Sequence, residues 1–275
     1  MQKCGLWCII SKNAFEREAN PISELRLDKF VCNRTGVSRT EIKAYLKSGL
    51  ITVNGRAEKD GSRKICPEEC EVAFKGKVLS LTRFRYIIMN KPQGVVCATQ
   101  DNVSKTVMEL VPDELMCANL APAGRLDKDT EGLLLITNDG EFAHKVISPK
   151  SQVPKFYVAR LELPFQESYK QIFAEGIEYR GEKFKSANIA KLDKNGEFVL
   201  VEIREGKFHQ VKKMFMAVSN KVLYLRREQI GKLFLPQDLV PGASLDILHK
   251  EACEMLKDES FEAVRSRIFV NFSSI

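Results

Sequence analysis

The stretch Ala121–Gly140 reads APAGRLDKDTEGLLLITNDG. A Gly124-Arg125-Leu126-Asp127 turn leads to a polar cluster, Asp129, Thr130 and Glu131, and then to the apolar run Leu133–Thr137. Asn138-Asp139-Gly140 ends the run. Bounded by turn residues on both sides and too short for a helix, the run reads as a buried strand. Asp127 therefore sits on a loop that feeds a rigid strand, where the scaffold fixes the geometry of a side chain. On this stretch alone, Asp127 serves equally well as a turn cap or as a reactive carboxylate.

Upstream of this stretch, Tyr86–Met89 reads as a strand, Asn90-Lys91-Pro92-Gln93-Gly94 as a turn and Val95–Ala98 as the return strand. Thr106–Val111 reads as a short helix. Downstream, a short helix is expected over Gly140–Ile147. Lys155–Leu163 (KFYVARLEL) is strand-like, with Tyr157 and Val158 on opposite faces. Gln166–Glu175 is an amphipathic helix with Tyr169, Ile172 and Phe173 as its apolar side. Ser186–Leu192 and Glu197–Ile203 form strands joined by the hairpin signal Asn195-Gly196. After Arg204-Glu205-Gly206-Lys207, a helix over Phe208–Val218 carries His209, Gln210, Lys212 and Lys213. Val222–Arg226, Leu233–Leu235 and Ser244–Leu248 read as further strands, and Glu251–Ile275 as a helical appendage. Short strands, hairpin turns and intervening helices indicate an α+β fold with a mixed, largely antiparallel sheet flanked by helices.

Toward the N-terminus, Leu25, Leu27, Phe30 and Val31 mark one side of a short helix that stops near Thr35-Gly36. Ser38-Arg39-Thr40-Glu41 is a capping box. The helix it opens has Ile42, Tyr45 and Leu46 on one side and Arg39, Lys43 and Lys47 on another. Leu50–Val53 is a strand and Asn54-Gly55 a hairpin turn. Residues 25–64 contain ten basic and four acidic residues, a net of +6. Lys29 and Arg56 belong to the same set. Basic residues on one side of a capped helix beside a hairpin suit a phosphate-binding surface. Residues 1–24 show no clear period beyond a possible helical turn over Phe15–Ala19.

The 275 residues suffice for one large and one small domain, and the net charge of +7 suits a polyanionic partner. With 44% hydrophobic and 29% charged residues, the composition is that of a globular chain. Of the eight cysteines, Cys4/Cys8 and Cys66/Cys70 have a C-x3-C spacing, but the three histidines are scattered, so free thiols and no metal are expected. The apolar run Gly5–Ile10 is too short for a signal core or a membrane span, so a soluble, cytoplasmic protein is expected. No P-loop, G-x-G-x-x-G or G-x-S-x-G motif occurs, which removes the usual supports for nucleotide hydrolysis, hydride transfer and α/β-hydrolase chemistry.

Leu27-Asp28-Lys29-Phe30, Val37-Ser38-Arg39 and Val53-Asn54-Gly55 resemble the S4 RNA-binding module. Gly124-Arg125-Leu126-Asp127 through Gly132-Leu133-Leu134 resembles the hallmark of pseudouridine synthases. Lys155-Phe156-Tyr157-Val158 is similar to that family's Tyr motif, and Glu205–Met214 to its C-terminal motif. The Asn90–Gly94 turn is similar too. The resemblance implies a chain divided into an N-terminal extension (1–24), an S4 domain (25–74), a linker (75–85), a pseudouridine synthase domain (86–250) and a C-terminal extension (251–275). It implies a cofactor-free isomerisation in which a uridine's N-glycosidic bond breaks, the base turns and is rejoined through C5. Asp127 would act as nucleophile, or stabilise and deprotonate an altered sugar. Lys212 would keep that carboxylate ionised in a partly dry site. Tyr157 would offer a ring for the freed base and a hydroxyl near C5, and Arg125 would fill the gap left by the flipped base. His209 is a backbone or phosphate contact, or a satisfied core histidine. Asp129 and Glu131 are structural or hydrogen-bonding. The His-Gln-Val-Lys form of the last motif resembles the branch that acts on small-subunit ribosomal RNA, at a uridine of the 516 type. The expected partner is that RNA or a precursor of the small subunit, met by a monomer. Large-subunit RNA, or a non-catalytic S4-type assembly factor, are the alternatives.

Overall fold

The computed structural model describes residues 25–66, 70–79 and 84–269. The expected turn of helix over Phe15–Ala19 lies outside them. The chain divides into two compact units, with the change near Leu81–Thr82.

In the N-terminal unit, helix α1 (Leu27–Thr35) buries Leu27, Phe30 and Val31. Helix α2 (Arg39–Lys47) opens with the expected capping box. The Ser38 hydroxyl accepts from the Glu41 amide at 3.3 Å, and the Glu41 carboxylate accepts from the Ser38 amide at 3.1 Å. Each such cap contributes about 1 kcal/mol. Ile42 and Leu46 point inward, and Tyr45 is half-buried. The two helices share a core with a four-stranded antiparallel sheet in the order Arg56–Ala57, Ile51–Val53, Val72–Phe74, Lys77–Val78. Asn54 and Gly55 both take positive φ, 50° and 76°, as a tight hairpin turn requires. Lys75–Val78, expected to begin a linker, instead closes a second hairpin. Lys75 and Gly76 form its turn, and Lys77 pairs with Phe74.

The larger unit is built on one nine-stranded sheet, and its helices include α3 (Gly140–Ile147) and α6 (His249–Ala252). Its seven main strands are β1 (Tyr86–Lys91), β2 (Glu131–Thr137), β3 (Lys155–Leu161), β4 (Asn188–Lys191), β5 (Phe198–Ile203), β6 (Val222–Ile230) and β7 (Ser244–Ile247), in the spatial order β4-β5-β3-β6-β2-β1-β7. Every pairing is antiparallel except β6 with β2. That parallel contact is short, joining Arg226 and Arg227 to Glu131 and Gly132. The far end of the same edge of β2, Leu135–Thr137, pairs instead with Ala121–Ala123. The loop 124–130 therefore starts and ends where β2 exchanges one neighbour for the other.

Alternation along β3 assigns its two faces. Tyr157, Ala159 and Leu161 pack with Val201, Val211, Met214 and Phe215, under helices α4 (Ser168–Glu175) and α5 (Gln210–Ala217). Phe156 and Val158 pack on the other face with Leu200, Val264 and Ile268. The last two residues belong to α7 (Phe261–Phe269), so the C-terminal segment, expected to be an appendage, forms one wall of the core. Full burial of side chains of this size stabilises by roughly 1.5–3 kcal/mol each.

Several local expectations shift. β1 continues through Asn90 and Lys91, which were expected in a turn, because both polar heads find buried carbonyl partners. Val95–Ala98 forms no strand; only the isolated bridge Val96–Thr106 remains. Ile172 points outward on α4. A hairpin of Ile177–Tyr179 with Glu182–Phe184, turning at Arg180-Gly181, was not expected. β6 runs on to Ile230, four residues beyond the expected end at Arg226.

Candidate active site

The loop carrying Asp127 is held from below by a buried lysine. Lys91 has no exposed surface, and its ammonium donates to the carbonyls of Pro92 (3.0 Å), Asp127 (3.0 Å), Lys128 (3.4 Å) and Thr130 (2.8 Å). Burial depresses its pKa, while the acids of the loop above it work in the opposite direction. Two backbone bonds complete the loop, Thr130 N–H to Asp127 O (3.1 Å) and Gly94 N–H to Lys128 O (2.8 Å). The Leu126 amide donates to the Cys97 sulfur at 3.3 Å. The carboxylate of Asp127 thus stands on a backbone tied at several points.

Two side chains from the start of α5 meet that carboxylate. Lys212 Nζ lies 3.2 Å from Asp127 Oδ2, and His209 Nε2 lies 3.4 Å from Asp127 Oδ1. Lys212 also reaches Asp129 Oδ1 at 2.5 Å. Burial opposes ionisation of Asp129, but the hydrogen bond and charge of Lys212 outweigh it and hold that carboxyl below the usual range. The segment before α5 does not form the helix expected from Phe208. His209 takes a left-handed conformation, φ 53°, and the helix begins at Gln210. The cause is a brace of buried polar groups. Glu205 Oε1 accepts from the Lys185 amide (2.9 Å) and from Gln210 Nε2 (2.8 Å), while Gln210 Oε1 accepts from the Lys207 amide (3.1 Å). The tight bend turns the His209 ring toward Asp127, with its side chain 40% exposed, so the histidine is not a core residue.

These residues border a cleft of about 690 Å³, counting the space open to solvent. Its lining combines apolar side chains, among them Val146, Ile203, Leu225 and Ile230, with Arg125, Asp127, Thr130, Lys155, Tyr157, His209 and Arg227. That size and mixture suit a small planar ligand with a few polar contacts. Tyr157 is 7% exposed, and its hydroxyl meets Arg227 Nη1 at 3.4 Å. Arg125, in contrast, is exposed on the loop.

Sequence reasoning assigned Asp127, Tyr157, Lys212 and Arg125 to one site. The structure sets Asp127, Tyr157 and Arg125 at the cleft with Lys212 on the Asp127 carboxylate, and adds His209 beside Asp127. Sequence reasoning missed Lys91, Lys155 and Arg227. Arg227 is 3% exposed on β6, with Nε donating to Leu133 O at 2.7 Å. Lys155 is 6% exposed, donates to Val153 O at 3.0 Å, and is pushed down by burial and by the charge of Arg227 to about 8. Alternation with Tyr157 placed Lys155 on the inner face of β3, and this signal was available in the sequence. Glu131 accepts from the Tyr224 hydroxyl at 2.7 Å, a structural role. Among the described residues, no group of three or more His, Cys, Asp or Glu side chains is placed to hold a metal, and no helix is long and apolar enough to cross a membrane.

The remaining basic residues lie in the N-terminal unit. Lys29, Arg39, Lys43, Lys47 and Arg56 are all exposed, and none forms an ion pair with a described residue. Four of them come from two helices, α1 and α2, and Arg56 from the hairpin.

Known proteins resemble this chain along both units. Residues 85–217 match the family model described as RNA pseudouridylate synthase, and residues 25–69 match the S4 domain. The chain is 43% identical to the ribosomal small subunit pseudouridine synthase A of Vibrio cholerae, over 85% of this chain and 100% of that one. It is 37% identical to the Escherichia coli protein of the same name, over 84% and 100%. An uncharacterized RNA pseudouridine synthase of Bacillus subtilis is 40% identical over 82% and 96%. A crystal structure of a pseudouridylate synthase superposes with a TM-score of 0.58 at 36% identity, covering 84% of this chain and 99% of that one. With both segments matched and relatives this similar along nearly their whole length, the chain belongs to the RNA pseudouridine synthase family, in the group that carries an S4 domain ahead of the catalytic unit.

Proposed function

We propose that this protein isomerises one uridine of small-subunit ribosomal RNA to pseudouridine, a uridine of the 516 type, with Asp127 as the catalytic carboxylate. The observation that carries the reading is the setting of Asp127: a cation on one oxygen, a histidine on the other, and a cleft with Tyr157 beside it. The names of the relatives support the choice of the small subunit.

The RNA arrives by its phosphates, which the exposed basic residues of the N-terminal unit (Lys29, Arg39, Lys43, Lys47, Arg56) attract. The target uridine must leave its stack, which costs a few kcal/mol. Arg125, exposed on the same loop as Asp127, fills the vacated place with its guanidinium plane. In the cleft, the C1′–N1 bond breaks and its electron pair stays with the base. Asp127 acts on the sugar during this step. Lys212 and His209 orient the carboxylate. The base turns against Tyr157, C5 bonds to C1′, the C5 proton leaves and N1 ends protonated. The sum is an isomerisation that needs no oxidant or co-reactant.

The test is to incubate the purified protein with small-subunit RNA, both free and in assembly particles, and to map pseudouridine by carbodiimide-blocked reverse transcription. One new stop in small-subunit RNA is expected. A stop confined to large-subunit RNA would move the substrate to the other subunit. No stop in any ribosomal RNA would leave an RNA-binding role without chemistry.

A further inference from the structure

The catalytic reading uses Asp127, Tyr157, Lys212 and His209, and leaves the innermost polar groups of the cleft without a task. Three side chains there are more than nine-tenths buried: Arg227 at 3% exposure, Lys155 at 6% and Thr130 at 1%. All three line the cleft. Arg227 Nη2 and Thr130 Oγ1 have no hydrogen-bond partner, and Lys155 donates only to Val153 O. Neither Arg227 nor Lys155 pairs with a carboxylate among the described residues, and the charge of Arg227 disfavours that of Lys155. Buried polar groups are almost always satisfied, and buried charges almost always paired. Arg227 keeps bonds from Nε to Leu133 O and from Nη1 to the Tyr157 hydroxyl, but two cations without a carboxylate, a free Nη2 and a free hydroxyl, all lining one cleft, indicate that a ligand completes them.

The ligand must carry negative charge or strong acceptors, and it must tolerate the apolar neighbours Ile203, Leu225 and Ile230. A phosphate, polar on every side, is poorly suited to those apolar neighbours. A uracil ring suits it, because the ring is flat and apolar on its faces and its acceptors lie at the edge. We infer that Lys155 and Arg227, with Thr130, form a cationic floor that holds the carbonyl oxygens of the detached uracil and stabilises the negative charge it bears after the glycosidic bond breaks. This rests on the reading of the cleft as a uridine site. When C1′–N1 breaks heterolytically, the electron pair leaves with the base. The resulting anion spreads its charge over N1, C5 and both carbonyl oxygens. Charge on those oxygens is greatest between bond breakage and C5–C1′ bond formation, so donors fixed there stabilise the detached base more than the bound substrate. Lys155 and Arg227 are then catalytic residues, acting on the base, as Asp127 acts on the sugar.

The test compares wild type with Lys155→Met and Thr130→Val in single-turnover reactions on small-subunit RNA containing uridine or 5-fluorouridine at the target. Fluorine withdraws electrons and makes the base a better leaving group, so it needs less help from the floor. Lys155→Met should slow uridine conversion on the order of 100-fold, with RNA affinity unchanged, and slow cleavage of 5-fluorouridine by a clearly smaller factor. Lys155→Arg should recover part of the rate. Thr130→Val, which keeps the shape of the side chain, should show the same leaving-group dependence in weaker form and guards against a folding defect in the first variant. Equal slowing on both substrates, or weakened RNA binding with an unchanged rate, would overturn the inference. Wild type without activity on either RNA would instead defeat the reading of the cleft itself.

Discussion

Substituting Gly132 by alanine tests how the loop of Asp127 is anchored. Gly132 lies at φ 106°, a region open to glycine and costly for other residues. It faces Arg227 across the short parallel contact of β2 and β6. A Cβ at this position would stand 2.2 Å from the Arg227 carbonyl oxygen, 2.7 Å from its nitrogen and 2.9 Å from its carbonyl carbon. These are backbone atoms, so no side-chain rotation relieves the clash. Backbone strain contributes about 1–3 kcal/mol, and forced separation of packed elements about 1–3 kcal/mol more. The smaller entropy of unfolded alanine returns about 0.4–1 kcal/mol. The net loss is about 1–5.5 kcal/mol, a large share of the 5–15 kcal/mol typical of a domain. Urea denaturation followed by circular dichroism should show a matching fall in midpoint. Gly140→Ala is the control, since nothing lies within 4 Å of its added Cβ; it should be neutral or slightly stabilising. A Gly132→Ala protein within about 1 kcal/mol of wild type would refute the reasoning.

Four further outcomes are expected. Lys91→Met should leave the carbonyls of Asp127 and Lys128 with their backbone partners but strip Pro92 and Thr130 of the lysine. Because it also removes a costly buried charge, stability should change by no more than about 3 kcal/mol, while single-turnover activity falls at least about tenfold as the loop loosens. Replacing Arg39, Lys43 and Lys47 together by glutamine should weaken RNA binding and reduce the slope of log K against log salt by about 2–3 if each meets a phosphate; an unchanged slope would show that this face does not touch RNA. Lys155 titrates near 8 in the folded protein and near its ordinary value of 10.5 unfolded. Over that interval the unfolded chain binds the extra proton, so wild type should gain stability relative to Lys155→Met as pH rises from 7 to 9.5, by roughly 2 kcal/mol. Denaturation midpoints of the two proteins across this range check the sign. Phe156→Ala should cost about 3–5 kcal/mol, because it opens the core between β3 and α7; removal of residues 261–275 should be comparably damaging, measured as loss of soluble, folded protein.

The sequence was most informative where period and punctuation coincided. The run Leu133–Thr137, bracketed by turn residues, became β2, and the capping box at Ser38 opened α2 as read. Asn54-Gly55 formed its hairpin for the same local reason. The missed residues share one property: they are charged and buried. Lys91 lies in a string, Asn-Lys-Pro-Gln-Gly, with every mark of a turn, and its burial is decided by carbonyls contributed from the distant loop 124–130. Arg227 follows Arg226 in a stretch, RREQ, that looks like a solvated strand end. Only the pairing of β6 with β3 on one side and with Gly132 on the other encloses it. The bend at His209 was illegible because it depends on Glu205 and Gln210 bridging to Lys185, on another strand connection. The fate of the C-terminal segment was equally non-local: α7 has an apolar side, but nothing near it in sequence says that Phe156 and Val158 wait opposite.

The central claim is that Asp127, positioned by Lys212 and His209, performs the chemistry on a bound uridine. Asp127→Asn changes one oxygen to an amide and keeps the shape of the side chain. Single-turnover conversion of the target uridine should vanish in this variant, with RNA affinity within about threefold of wild type, since the phosphate contacts that dominate binding are untouched. Conversion at the wild-type rate by the Asp127→Asn protein would contradict the account.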